Sequence, residues 1–76
     1  MMVASRIFMS RFTNRYGERW VFVYDPAAGE GHLKGSDVDG EEYHVVEWEV
    51  DGLILNDEEI RWLREAWAAA IVRTQP

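Results

Sequence analysis

The sequence predicts an α+β fold. We expect an antiparallel meander sheet of four or five strands, either open or curled into a partial barrel, with one C-terminal α-helix packed on one face. Two segments, 18–25 and 42–50, are rich in alternating β-forming residues. One long segment, 57–73, has helical periodicity and matched signals at both ends. Short, turn-rich connections between the strand segments favour antiparallel neighbours.

Length and composition set the limits of the fold. The 76 residues form one domain, 1–76, close to the size at which a single core is only just sufficient. The chain has no cysteine, which excludes disulfides and thiolate metal sites and fits a reducing compartment, so we expect a cytoplasmic protein. No apolar run approaches the roughly 20 residues that cross a bilayer, and we expect no membrane contact.

The first half of the chain predicts two strands. Residues 1–8 are either loosely held or form an extra strand, and the sequence does not choose between these options. The strand at 18–25 carries apolar residues on both of its faces, and Asp25-Pro26 ends it. After a glycine-containing loop, 31–35 is expected to be a short strand. The alternating residues of the first strand are Trp20, Val21, Phe22, Val23 and Tyr24.

The strand at 42–50 alternates two sets of side chains. Asp51-Gly52 favours a two-residue hairpin that returns as a strand at 53–55, pairing Val50 with Leu53. This register assigns one set to the side that meets the helix and leaves the other set, together with Ile54, on the far side. The expected inner set is His44, Val46, Trp48 and Val50, and the expected far set is Tyr43, Val45, Glu47 and Glu49.

The helix at 57–73 has the clearest local signals. Asn56 is a good N-cap, and Glu59 stands three residues later, where its carboxylate can complete a capping box. Leu55 and Ile60 are placed for a hydrophobic staple. At 100° per residue, one stripe is expected to face the core. It contains Ile60, Leu63, Trp67, Ala70 and Ile71.

A second apolar strip, Trp62, Ala66 and Ala69, lies beside the core stripe. It could cover the sheet edge or a loop within its own domain, or it could contact a partner, since aromatic residues are enriched at interfaces. The sequence leaves both interpretations open.

One helix can cover only one face of the sheet, and the chain carries apolar residues for both. The leading hypothesis is therefore a small acidic protein-interaction or self-associating module, a homodimer in the second case, without catalytic activity. The predicted contact residues are Trp62, Ala66 and Ala69 on the helix and Tyr43, Val45 and Ile54 on the sheet.

Two alternatives arise from the charge distribution. Basic and aromatic residues alternate near the start of the chain, as on single-stranded nucleic-acid surfaces, although the net charge of −6 opposes a polyanion. Ten acidic residues and no Lys or Arg lie between Asp37 and Glu59, which could mimic nucleic acid and block a basic partner. The candidate nucleic-acid residues are Arg11, Phe12, Arg15, Tyr16 and Arg19.

Catalytic chemistry has weak support. His32 and His44 are candidate metal ligands or bases, but they lack the short spacing of metal-binding motifs and any positioned partner. The sequence has no phosphate-binding loop, nucleophile elbow or metalloprotease helix motif. We therefore expect no enzyme, metal or cofactor, with His44 as a general base remaining the enzymatic alternative.

Overall fold

A computed structural model describes residues 7–35 and 42–74 of the chain. Within these residues, five strands precede one helix, and the α+β prediction is confirmed. The elements are β1 (Phe8–Thr13), β2 (Arg19–Asp25), β3 (Glu30–Gly35), β4 (Glu42–Val46), β5 (Glu49–Val50) and α1 (Asp57–Thr74).

The strands form one sheet in the order β1-β2-β3-β4-β5, and every neighbouring pair is antiparallel. This is the predicted meander. The sheet of described residues is not closed into a barrel. β1 shares only Phe8 with the segment 1–8 considered for an extra strand, and residues 1–6 of that segment lie outside the described residues. The strand over residues 9–13 was not predicted from the sequence.

The core lies between one face of the sheet and α1. Phe22, Leu33 and Val45 come from the three central strands and meet Leu63 of the helix, and all four are almost fully buried. Gly31 leaves room for this packing, because a Cβ at that position would stand 2.9 Å from ring atoms of both Phe22 and Trp67.

The helix begins as predicted. The Glu59 backbone N–H donates to Asn56 Oδ1 at 2.9 Å, and the Asn56 N–H donates to Glu59 Oε1 at 3.0 Å, which is the reciprocal pattern of a capping box. These bonds satisfy N–H groups that the first helical turn leaves without intrahelical partners.

The core-facing stripe of α1 is close to the predicted one. Leu63 and Ala70 are fully buried, and the Trp67 ring packs 5.3 Å from the Tyr24 ring, centroid to centroid. Ala66 is also buried, which centres the stripe between Leu63 and Ala66. The helix is therefore rotated slightly toward its second apolar strip.

The predicted faces of β4 are wrong. Val45 is 1% exposed and Tyr43 packs against the core, whereas His44 and Val46 are exposed on the opposite side. Both faces of this strand carry apolar side chains, so alternation alone did not decide between them. The observed choice buries a valine and most of a tyrosine and leaves the imidazole of His44 in solvent, which avoids the cost of desolvating it.

The predicted hairpin is also wrong. The strand ends at Val46, and Glu47 and Trp48 form the two-residue connection to β5, where Val46 pairs with Glu49. The segment 53–55 is not a strand. Asp51-Gly52 makes a turn, with the Leu53 N–H donating to the Val50 carbonyl at 3.3 Å, but this turn leads toward the helix.

No helix within the described residues is both long enough and apolar enough to cross a membrane.

Candidate interaction surface

The sheet face opposite the helix carries three rows of side chains. We call it the outer face. Because side chains alternate along a strand, the neighbours of the buried Phe22, Leu33 and Val45 point to this side. The cross-strand register aligns the middle row as Met9, Val23, His32 and His44. The row on one side of it is Arg11, Val21, Lys34 and Glu42, and the row on the other side is Asp25, Glu30, Val46 and Glu49.

Apolar side chains on the outer face remain open to solvent. Met9 is 58% exposed and Val46 is 57% exposed. Val21 and Val23, on the strand between β1 and β3, are half-buried. Helix α1 packs on the other side of the sheet, so this apolar surface belongs to no core within the described residues.

The centre of the outer face holds two imidazoles. His32 and His44 are direct cross-strand partners, and their ring centroids lie 5.6 Å apart. His32 Nδ1 is 3.1 Å from Glu42 Oε1, and its Nε2 is 3.5 Å from Glu30 Oε2. These two carboxylates fix the ring orientation in the middle of the sheet.

The outer face is electrically polarised along the strands. Its basic end carries Arg11, Arg19 and Lys34, with Glu42 beside Lys34 at 3.7 Å. The opposite end is purely acidic among its charged groups and includes Glu30 and Glu49. Two residues along a strand span about 7 Å, so roughly 14 Å separates the two end rows. The acidic end consists of Asp25, Glu30 and Glu49.

An open groove of about 690 Å³ adjoins the outer face at the β4–β5 edge. Val46 contributes to both surfaces, and Ile54, which is 98% exposed, lines the groove. The guanidinium carbon of Arg64 lies 4.6 Å from the centroid of the Trp48 ring, which ties the β4–β5 turn to the helix. The groove extends the exposed apolar surface around the sheet edge.

The helix residues predicted to contact a partner are engaged within the chain. Trp62 donates from Nε1 to Ser10 Oγ at 2.9 Å and stacks on Phe12 with centroids 5.0 Å apart. Ala66 is 5% exposed and Ala69 is half-buried. The strip joins α1 to β1, as in the first of its two interpretations, and it is not part of the outer face.

The three sheet residues predicted to contact a partner are separated. Tyr43 and Val45 face the helix, and only Ile54 is exposed. The residues that do occupy the outer face were visible in the sequence as the second apolar face of β2, namely Val21 and Val23. Met9 and Val46 were not predicted on this face, because the sequence indicates no strand over 9–13 and the alternation in β4 favours the reverse orientation.

The candidate nucleic-acid residues do not share one surface. Arg11 points to the outer face, whereas its neighbour Phe12 stacks under Trp62 on the helix side. Arg15 and Tyr16 are exposed in the β1–β2 turn. An aromatic ring already stacked within the fold is not free to stack on a base.

The described acidic residues of the segment 37–59 are not all exposed and unpaired. Residues 36–41 lie outside the described residues, Glu59 is buried, and Glu42 bonds to Lys34 and His32. Glu47, Glu49 and Asp51 are exposed near the β4–β5 turn.

Within residues 7–35 and 42–74, no group of three or more His, Asp or Glu side chains has the arrangement of a metal site. His32 and Glu42 are in contact, but they stand on an open face that does not exclude water.

Comparisons of the chain with protein-family models, with curated proteins and with solved structures found no match.

Proposed function

We propose that the protein is a small cytoplasmic interaction module, without catalytic activity of its own, that binds a second protein molecule through the outer face. The observation that carries this proposal is the aliphatic surface of the exposed Met9 and Val46 and the half-buried Val21 and Val23, on a sheet face that the helix does not cover. A two-layer fold hides one face of its sheet, and apolar side chains left open to solvent on the other face favour a protein contact.

The size of the surface predicts a transient complex. Fully burying one such side chain contributes about 1.5–3 kcal/mol, and these four are already partly covered, so each adds roughly 1 kcal/mol. Association costs about 4–15 kcal/mol before any contact is counted. The aliphatic residues alone are therefore insufficient, and the charged ends of the face must contribute. A micromolar affinity is the expected range.

Hydroxyl-radical footprinting tests the proposal, because methionine reports solvent access through its oxidation. We expect Met9 to be oxidised readily in dilute purified protein and to be protected when the protein is concentrated or placed in extract of the source cells. Tyr16, exposed in the β1–β2 turn, is the internal reference and should react equally in all samples. If the reactivity of Met9 relative to Tyr16 is the same in every sample, the proposal is wrong.

A matched pair of variants locates the contact. Val23→Lys places a charge in the middle row and should abolish the protection of Met9. Val72→Lys makes the same change on the exposed side of α1 and should leave the protection intact. Circular dichroism of both variants checks that the fold is kept.

A further inference from the structure

The geometry points to a second copy of this chain as the occupant of the outer face, and we propose a two-fold dimer in which the two outer faces stack with their strands antiparallel. This inference rests on the proposed function and names its partner. The order of charges along the outer face supports this arrangement.

The outer face is complementary to itself when it is turned end to end. Its basic end carries Arg11 and Lys34, with Glu42 beside Lys34, and its acidic end carries Asp25 and Glu30. The Met9–His44 row lies between the two ends. A second copy rotated by 180° about an axis across the strands places its acidic end over the basic end of the first. The two-fold symmetry creates the same contact twice.

The register identifies the pairs. With the axis over the middle row, each strand lies over its own counterpart, and the rows on either side exchange places. Lys34 then lies over Glu30 of the second copy, because both residues belong to β3. Arg11 lies one strand away from Asp25 of the second copy. The two middle rows meet, so that Met9, Val23 and the imidazole rings cover one another.

The competing orientation is unfavourable. A two-fold axis along the strands would stack the basic end on the basic end and the acidic end on the acidic end. Like charges facing each other across an interface disfavour binding strongly. Face-to-face sheets also keep their strand directions within about 30° of each other, which both antiparallel and parallel stacking allow. Charge order therefore selects the antiparallel arrangement.

The area predicts a weak dimer. Four strands at about 4.8 Å spacing and three rows over about 14 Å give a contact of roughly 20 by 20 Å on each copy. This is about half of a standard interface. We expect a dissociation constant of about 100 μM at low ionic strength, weakened by salt because the charged pairs lie at the rim.

Charge exchange at one pair tests the arrangement by sedimentation equilibrium. Lys34→Glu and Glu30→Lys should each raise the dimer dissociation constant about tenfold. In a dimer of Lys34→Glu chains, acidic residues occupy both members of each pair, and in a dimer of Glu30→Lys chains, both members are basic. The double variant should recover to within about threefold of wild type, since the pair is only exchanged.

An equimolar mixture of the two single variants is the sharpest measurement. Each Lys34→Glu chain then meets a Glu30→Lys chain, and both pairs of the heterodimer are complementary. The mixture should associate about tenfold more tightly than either variant alone. Intrachain effects, such as loss of the Lys34–Glu42 contact, are present in the separate samples too and cannot produce this gain. Arg61→Glu, an equal charge change on the exposed side of α1, should leave association unchanged.

The outcomes separate the two proposals. A monomer at 1 mM, with Met9 still protected in extract, overturns the second copy and keeps the interaction module. A monomer whose Met9 is unprotected everywhere overturns both. A dimer that Val23→Lys dissociates, but whose charge variants show no gain on mixing, overturns the antiparallel arrangement.

Discussion

Asn14 joins the β1–β2 loop to the start of α1 through one buried side chain. Its Oδ1 accepts from the backbone N–H groups of Tyr16 and Glu18, both at 2.9 Å. Its Nδ2 donates to Glu18 Oε1 at 2.8 Å and to Glu59 Oε2 at 3.2 Å. Both hydrogens of the amide are used, so a loop and a helix 45 residues apart share one polar network.

Glu59→Gln should lower the free energy of unfolding by about 2 kcal/mol. Both carboxylate oxygens of Glu59 accept hydrogen bonds, one from the Asn56 N–H and one from the Asn14 side-chain amide. A glutamine side chain has one oxygen acceptor, so its NH₂ group would face one of these two N–H donors. Urea denaturation measures the difference. Glu65→Gln, an exposed substitution in the same helix, should change stability by less than about 0.5 kcal/mol. Equal effects of the two would show that the buried network contributes nothing.

At the scale of the element, the β4–β5 turn fixes which residues reach the outer face. Glu47 has a φ of 59°, a left-handed conformation that costs a residue with a side chain about 1–2 kcal/mol. By turning at Glu47 and Trp48, the chain ends β4 at Val46 and sends the next segment toward the helix. The strained backbone at Glu47 belongs to the turn that leaves Val45 buried and Val46 exposed.

Glu47→Gly should raise the free energy of unfolding by about 0.5–1 kcal/mol. Glycine adopts a positive φ without steric cost, and this gain exceeds the extra conformational entropy that glycine gives the unfolded chain. For a domain of this size the melting temperature should rise by roughly 2–8 °C. Glu49→Gly is the control two residues away. It has no positive φ to relieve, and it should destabilise the protein by about 0.5–1 kcal/mol. A fall in melting temperature for Glu47→Gly would contradict the strain.

The contrast between these elements shows what the sequence could predict. The capping box of Asn56 and Glu59 depends on residues three positions apart, and it was found from the sequence alone. The faces of β4 depend on β3, which pairs with it, and on a turn with no glycine at its strained position. Asp51-Gly52 is the stronger turn signal in the sequence. A hairpin at that turn places Val45 and Val46 on the faces opposite to those observed.

At the scale of the whole molecule, one helix leaves apolar side chains of the sheet uncovered, as the number of apolar residues indicates. Most of the residues that the sequence predicts on the uncovered face are not the residues observed there. Val21 and Val23 carried the signal, because β2 is apolar on both faces. Trp62 was ambiguous because a tryptophan on a helix serves a sheet edge or a partner equally well, and only the position of Phe12 beneath it decides. The charge order of the outer face needs the cross-strand register, which no local pattern provides.

The charge of the whole chain predicts opposite effects of salt on folding and on association. The net charge is −6, and exposed acidic residues such as Glu47, Glu49 and Asp51 lie close together near the β4–β5 turn, so repulsion within the monomer opposes the compact state. Raising NaCl from 10 to 300 mM shortens the Debye length from about 30 Å to below 8 Å and should raise the melting temperature of dilute protein by a few degrees.

The same change in salt should weaken the dimer, because its Lys34–Glu30 contacts join opposite charges. Calorimetry at about 5 μM protein reports the monomer, and sedimentation at 200 μM reports the association. If salt lowered the melting temperature instead, attraction between the basic and acidic parts of the chain would outweigh the repulsion. The charges of the outer face would then already be neutralised within one molecule. The polarity on which the antiparallel dimer depends would then be too weak to orient it.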